Sequence, residues 1–348
     1  MPEIISKLPA LTKKIAALWG GAAVTKMAWE AVDYPRREGL PDISDSQTRP
    51  FWVTAQFEGE QLLGVAKPLD PKRHKGHREN LTGHESPVFD KIAFDIAHEL
   101  GLPVAPAALW ENKSGEKFVI SLVPFENTMT GSALNSDLGN FLLFENLLKG
   151  NHLAALTAIS IFNLLVGQND DHLGNILLDK DAPGRSTVVF IDYHSAFQEE
   201  GLKHGKPRVP GIADFLSNTF DGSWGDLTLR AMDASVVGEV AGKIAALTAD
   251  RLAEIVERVP DSFFGQQPKD RLLHFLQNAS EQFGERLEER FGSKYQDERW
   301  PDTVKLSERN DLPPDLKSLL PKSRHLDDVE ETLPKRSAPS TPRCRPSP

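Results

Sequence analysis

The sequence predicts an α+β protein of two lobes, a small β-rich one followed by a larger and mostly helical one. Three observations predict it. Between Phe51 and Phe125, short strand-like runs alternate with turns, and a single long helical period interrupts them. Beyond Asn127 the chain runs in helix formers, nearly all apolar on one face, over stretches too long for strands. After Asp302 it turns to proline, serine and charge, a composition that cannot support a packed core.

Residues 1 to about 45 read as helical and then irregular: "LTKKIAALWGGAAVTKMAWEAV" holds helix formers broken at Gly20-Gly21, and "DYPRREGLPDISDS" is loop-like. Two strands follow, Phe51–Phe57 and Gln61–Leu69, around the turn residues Glu58-Gly59. A basic loop, "DPKRHKGHRENLTGH", leads into "SPVFDKIAFDIAHEL". That stretch predicts a helix, with Ser86 as N-cap, Pro87 in the first turn and Gly101 as the stop. "LPVAPAALWE" and "EKFVISLVPF" read as two more strands, the second ended by Pro124.

The larger lobe opens with core helices in "NFLLFENLLKGNHLAALTAISIFNLLVGQ". The β-branched run "TVVFIDYHSAF" predicts a buried strand. Two long amphipathic segments, roughly Ala234–Val259 and Lys269–Phe291, complete the lobe. The expected organisation is an N-terminal extension over 1–50, a small lobe over 51–126, a large lobe over 127–300 and a disordered tail over 301–348.

Composition narrows the function. A length of 348 residues with 39% hydrophobic and 26% charged residues suits a globular protein with a large core, which excludes wholesale disorder. The formal net charge of -10 opposes nucleic acid or an anionic membrane as partner for the molecule as a whole. The single cysteine, Cys344, lies among prolines and arginines, so no internal disulfide and no zinc-thiolate site is expected. No stretch approaches the roughly twenty apolar residues of a membrane span. Lys7, Lys13 and Lys14 interrupt any signal-peptide core, and the expected compartment is the cytoplasm.

Within this frame "LVGQNDDHLGNILLD" places adjacent acids, a histidine and an amide in apolar surroundings. Asp170 and Asn175 stand five apart, and Asp192 follows at the end of the next apolar run. Such a loop and strand would supply hard oxygen ligands for Mg²⁺ and one spare carboxylate, the set that nucleotide phosphoryl transfer requires. The plainer alternative makes Asp170 and Asp171 solvent-facing turn residues and Asn175 a helix cap. It leaves the second acid and the apolar flanks unexplained.

These residues resemble the D-x-H-x-x-N and downstream Asp of the HipA-like kinases, whose catalytic core is shared with phosphoinositide kinases and, more distantly, with eukaryotic protein kinases. The similarity extends to "GVAKPL", to "FDKIAFDIAHELGLPVAP" and to "RLAEIVERVPDSFF", covering about Phe51 to Phe291. It implies a two-lobed, protein kinase-like fold using ATP and Mg²⁺. Asp170 would be the catalytic acid/base, His172 a brace for its loop, and Asn175 and Asp192 the metal ligands. Lys67 would contact the α- and β-phosphates. A lysine in an apolar strand also needs an anionic partner on physical grounds; the plainer alternative is a lysine snorkelling from an edge strand. The family's glutamate partner of that lysine falls on Asp90, one methylene shorter, with Glu85 in poorer register. The hinge between lobes would run through Pro124 and Phe125, with Phe125 and Trp110 as candidates to flank the adenine. No glycine-rich phosphate loop is found; the Glu58-Gly59 turn is the nearest candidate, and its acid would repel ATP.

Other features admit two readings. Lys72, Arg73, Lys75 and Arg78 form either a solvated loop or a clamp on phosphates or an acidic substrate. His74, His77 and His84 lack the regular backbone that a metal site needs. His194 reads as a hydrogen-bonding neighbour of Asp192. Ser323, Ser337, Ser340, Thr341 and Ser347 in the tail are candidates for phosphorylation in cis.

The expected function is therefore transfer of the ATP γ-phosphate to Ser or Thr of a protein substrate, with any antitoxin or regulatory partner left open. The alternatives are a phosphoinositide or small-molecule kinase, an adenylyltransferase on the same fold, and a non-catalytic nucleotide-binding pseudokinase.

Overall fold

The architecture is that of a computed structural model describing residues 8–33, 43, 49–70, 86–131, 133, 150–168, 173–179, 188–197 and 234–284. Asp170, His172, Glu85, the basic loop with its histidines, and the C-terminal tail lie outside the described residues.

The small lobe is built on a hairpin of β2 (Phe51–Phe57) and β3 (Glu60–Pro68), whose register pairs Phe57 with Glu60. Its two-residue turn needs φ above zero at both positions, and Glu58 and Gly59 have φ of 52° and 86°. β1 (Glu30–Ala31) joins on one side, and β5 (Lys117–Leu122) and β4 (Ala107–Glu111) on the other. The sheet is antiparallel throughout, in the order β1-β2-β3-β5-β4. Sheet and core therefore reach back across residue 50, where the small lobe was expected to begin. The N-terminal helix α1 (Ala10–Trp19) is part of them, because Ile15, Ala16 and Trp19 are buried in the same cluster as Val53 and Ala66. Trp29 packs at 6.0 Å from Trp19.

Helix α2 (Val88–Leu100) forms as its sequence signals dictate. The Ser86 hydroxyl accepts a bond from the Val88 N–H, and Pro87 is already helical. At the other end Gly101 turns left-handed at φ 73°, and the N–H groups of Gly101 and Leu102 bond the carbonyls of His98 and Ala97. That is the Schellman pattern. The following Pro103–Ala105 segment bonds Phe190 from both sides, at 2.9 and 2.8 Å, and so ties α2 to the second sheet.

That second sheet is a short meander of β6 (Thr128–Thr130), β7 (Ile176–Asp179) and β8 (Val189–Phe190). The strand expected over "TVVFIDYHSAF" is shorter than predicted. It ends at Phe190, because Asp192 adopts a left-handed φ of 67° that breaks the extended backbone.

Helix α3 (Gly150–Val166) is buried from Ala155 to its end and stops at Gly167, φ 60°. The segment expected as one long helix from Ala234 is two, α4 (Ala234–Ala245) and α5 (Ala249–Glu257). The break has a local cause. The Thr248 hydroxyl accepts the Arg251 N–H and Asp250 sits in the first turn, a new N-terminus inside the apolar period. Helix α6 (Gln266–Glu281) starts three residues before the expected Lys269. α3 packs on α4 and α6, and α2 packs on α4 and α5, so one core runs through sheet and helices. Among the described residues no helix is long and apolar enough to cross a membrane.

Candidate active site

The site grows from a lysine that cannot be left alone. Lys67 lies in the last turn-ward residues of β3 and is only 7% exposed, so its ammonium requires anionic partners. Two are supplied. Nζ stands 2.7 Å from Oδ2 of Asp90, in the first turn of α2, and 2.5 Å from Oδ1 of Asp192, just beyond β8. Burial alone would lower the Lys67 pKa, but the carboxylates of Asp192 and Asp90 outweigh it and raise the value, so the ammonium stays charged.

Asp90 is shorter than the glutamate that the resemblance leads one to expect, yet it spans the gap and does more. Its Oδ1 accepts the Tyr193 N–H at 2.5 Å while Oδ2 holds Lys67. The residue thus joins β3, α2 and the turn after β8. Burial pushes its carboxyl above the ordinary value, and Lys67 offsets only part of that rise.

Asp192 occupies backbone that L-residues rarely adopt, at a cost of about 1–2 kcal/mol. Three contacts hold it there. Gln168, past the end of α3, donates its amide to the Asp192 carbonyl at 2.8 Å; His194 Nδ1 lies 2.5 Å from Asp192 Oδ1; and the Tyr193 N–H is taken by Asp90. Burial would raise the Asp192 carboxyl, but Lys67 and His194 hold it well below the usual carboxylate range. In return Asp192 raises the His194 imidazole against the effect of burial. The Asp192 side chain retains 27% exposure, the most open of the three charged groups around Lys67's ammonium together with Asp90.

Asn175 closes the 3₁₀ turn Leu173–Asn175 and is buried. Ile176 pairs with Phe190, and the Asn175 carbonyl accepts the Ile191 N–H at 3.0 Å. The hairpin thereby places Asn175 and Asp192 at one end of β7 and β8. These two residues and Lys67 are brought together; Asp170 and His172 lie outside the described residues.

Pro124 and Phe125 follow β5, where the hinge was expected. The Thr12 hydroxyl donates to the Pro124 carbonyl at 2.6 Å. Phe125 packs in a small cluster with Leu8, Ala105, Leu177 and Val189. Both line a cavity of about 600 Å³ that Leu63, Leu122, Glu126 and Asn127 also border. Trp110 sits elsewhere. It pairs with Phe118, which is opposite Pro68, and stacks on it at 5.0 Å. Strand register therefore puts Trp110 at the end of β5 remote from Pro124, and it does not flank the expected adenine position.

Sequence reasoning missed Gln168, Tyr193 and Thr12. Gln168 and Thr12 donate to main-chain carbonyls across the fold, and Tyr193 offers its main-chain N–H to Asp90, none of which a spacing rule reveals. A polar residue at the apolar end of a core helix was the available signal for Gln168.

An antiparallel sheet, a helical second half and an ion cluster where β3, α2 and the turn after β8 meet make up an α+β fold. Comparison with protein families and with curated proteins finds no match. Among solved structures the chain is similar to the Helicobacter pylori proinflammatory kinase CtkA, with a TM-score of 0.47 and 12% identity over 77% of this chain and 98% of that one.

Proposed function

We propose that this chain is a Mg-ATP-dependent kinase that transfers the γ-phosphoryl group to Ser or Thr of a protein. The observation that carries the reading is Lys67, a buried ammonium between Asp90 and Asp192 with Asn175 at the same end of the hairpin. A fixed cation beside two hard oxygen donors suits a polyphosphate with its metal ion. Among the described residues no group of three or more His, Cys, Asp or Glu is arranged to hold a metal ion by itself, and Mg²⁺ commonly takes one or two protein carboxylates with nucleotide oxygens. The donor set fits that pattern.

In this reading Lys67 binds the inner phosphates, while Asp192 and Asn175 would hold Mg²⁺, which neutralises charge on the outer ones. In sequence Asp170 lies two residues after Gln168, which is bonded to Asp192, and five before Asn175. Asp170 orients the acceptor hydroxyl and takes its proton. The bond from γ-phosphorus to that oxygen forms, the bond to the β-bridging oxygen breaks, and ADP leaves. The net charge of -10 disfavours an anionic lipid surface as acceptor, which favours a protein in the cytoplasm.

The test is incubation with Mg²⁺ and either α-labelled or γ-labelled ATP, followed by mass spectrometry of the protein and of added protein substrates. The reading requires γ label on a hydroxyl side chain, and its loss in Asp170→Ala with ATP affinity retained within a few-fold. Retention of the α label would make the enzyme an adenylyltransferase, and absence of any transfer a nucleotide-binding module.

A further inference from the structure

We propose that α1 is a strap that sets α2 relative to the hinge, and that Lys91 is the positioning residue through which it holds Asp90 against Lys67. This deepens the kinase reading and rests on it for its functional meaning.

The strap is fastened at both ends. Near its start the Thr12 hydroxyl donates to the Pro124 carbonyl at 2.6 Å in a buried contact. At its end the Trp19 carbonyl accepts Lys91 Nζ at 2.6 Å, and the Gly20 carbonyl accepts Nη1 of Arg258, after α5, at 2.7 Å. Two cations thus occupy the negative end of the α1 dipole. Between the ends Ile15, Ala16 and Trp19 are buried on the same stripe as Thr12, so the helix is held along its length. From Thr12 to Trp19 it spans about 10 Å, a rigid distance between hinge and α2. Gly20 permits the close approach, since a Cβ there would stand 2.4 Å from the His98 ring.

Lys91 is fully buried, as is Asp95, which it meets at 2.7 Å. Burying such a pair costs several kcal/mol of desolvation, and well-packed apolar residues in its place are often neutral or stabilising. Oδ2 of Asp95 is also buried without a hydrogen-bond partner among the described residues, so the arrangement is not the best one for stability. What the ammonium provides is direction. Asp95, on the same helix, aims the ammonium, and its bond to the Trp19 carbonyl sets which face of α2 meets the end of α1. Asp90 is the adjacent residue, and the setting that delivers Lys91 to α1 delivers Asp90 to Lys67.

The experiment is a double-mutant cycle of denaturant unfolding with Lys67→Met and Asp90→Asn, run in the native chain and in the chain carrying Lys91→Met with Asp95→Leu. That pair of changes removes both charges together, so neither is left unpaired. The expected result is an unfolding midpoint near that of the native chain with Lys67–Asp90 coupling reduced by about half or more. The KM for Mg-ATP is expected to rise while kcat changes less. Undiminished coupling in the folded variant overturns the strap. Thr12→Val, which removes one hydroxyl and no charge, repeats the measurement from the hinge end and decides the matter if the charge-free variant does not fold: reduced coupling supports the strap, and full coupling overturns it. The cycle needs neither nucleotide nor turnover. Lack of phosphotransfer in the native chain would therefore defeat the kinase reading alone, and full coupling beside normal phosphotransfer would defeat the strap alone.

Discussion

Charge balance governs the residues around Lys67. Two carboxylates face one ammonium, and Asp192 in turn raises the imidazole of His194 against the effect of burial. Replacing Asp192 with asparagine removes the more open anion of the cluster and, in the proposed reading, the anionic ligand for Mg²⁺. Mg-dependent ATP binding is expected to weaken by at least about tenfold in Asp192→Asn, read by calorimetry with and without Mg²⁺. Undiminished binding would remove Asp192 from the site. Asp95 makes a second prediction. Burial raises its carboxyl from 3.8 to about 6, with Lys91 pulling the other way. The folded chain therefore binds this proton more tightly than the unfolded chain. Its contribution favours the fold below the unfolded value and is lost as pH rises through about 6. Asp95→Asn is isosteric and does not titrate. Between pH 4 and pH 7 the stability of the native chain should fall relative to that variant by about 3 kcal/mol or less, measured by urea unfolding at both values. A difference independent of pH would mean that Asp95 is ionised throughout.

Elements are held by their ends. The C-terminus of α2 depends on Gly101 at φ 73°, so Gly101→Ala places a Cβ in left-handed backbone and is expected to cost about 1–2 kcal/mol. Proline and glycine punctuation was enough to find both ends of this helix. α5 shows the opposite case. Its start at Thr248 lies inside an apolar period that runs on smoothly, and the side-chain cap outweighs the period. Thr248→Ala should cost about 1 kcal/mol in thermal or urea unfolding, and no measurable loss would show that the break comes from packing instead.

At the scale of the molecule, the N-terminal helix belongs to the core that the five-stranded sheet covers, and β1 extends that sheet at its edge. Trp19 is fully buried beside Trp29, and Gly64 leaves the room that Trp29 and Ile120 fill. Trp19→Ala is accordingly expected to destabilise the chain by about 3–5 kcal/mol. A loosely attached extension would lose less than about 1 kcal/mol, as surface positions do. Denaturant unfolding with intrinsic fluorescence separates the two outcomes.

The sequence by itself determined the hairpin at Glu58-Gly59, the caps of α2, the apolar core helix ending at Gly167 and the residue types of the site. Each depends on neighbours within a few positions, where backbone sterics, hydrogen bonding and periodicity act alone. Lys67, Asp90 and Asp192 were legible as candidates, but their meeting was not. Lys67 is 23 residues from Asp90 and 125 from Asp192, and only the docking of α2 and of the β7–β8 hairpin brings the three within 2.7 Å. Tertiary structure also ended the second sheet at Phe190, because the turn at Asp192 is held by Gln168, Asp90 and His194 from three parts of the chain. It alone moved Trp110 away from the hinge through strand register and made α1 part of the core. A lysine in an apolar strand announces that it needs an anion, and packing over long sequence separation decides which anion it receives.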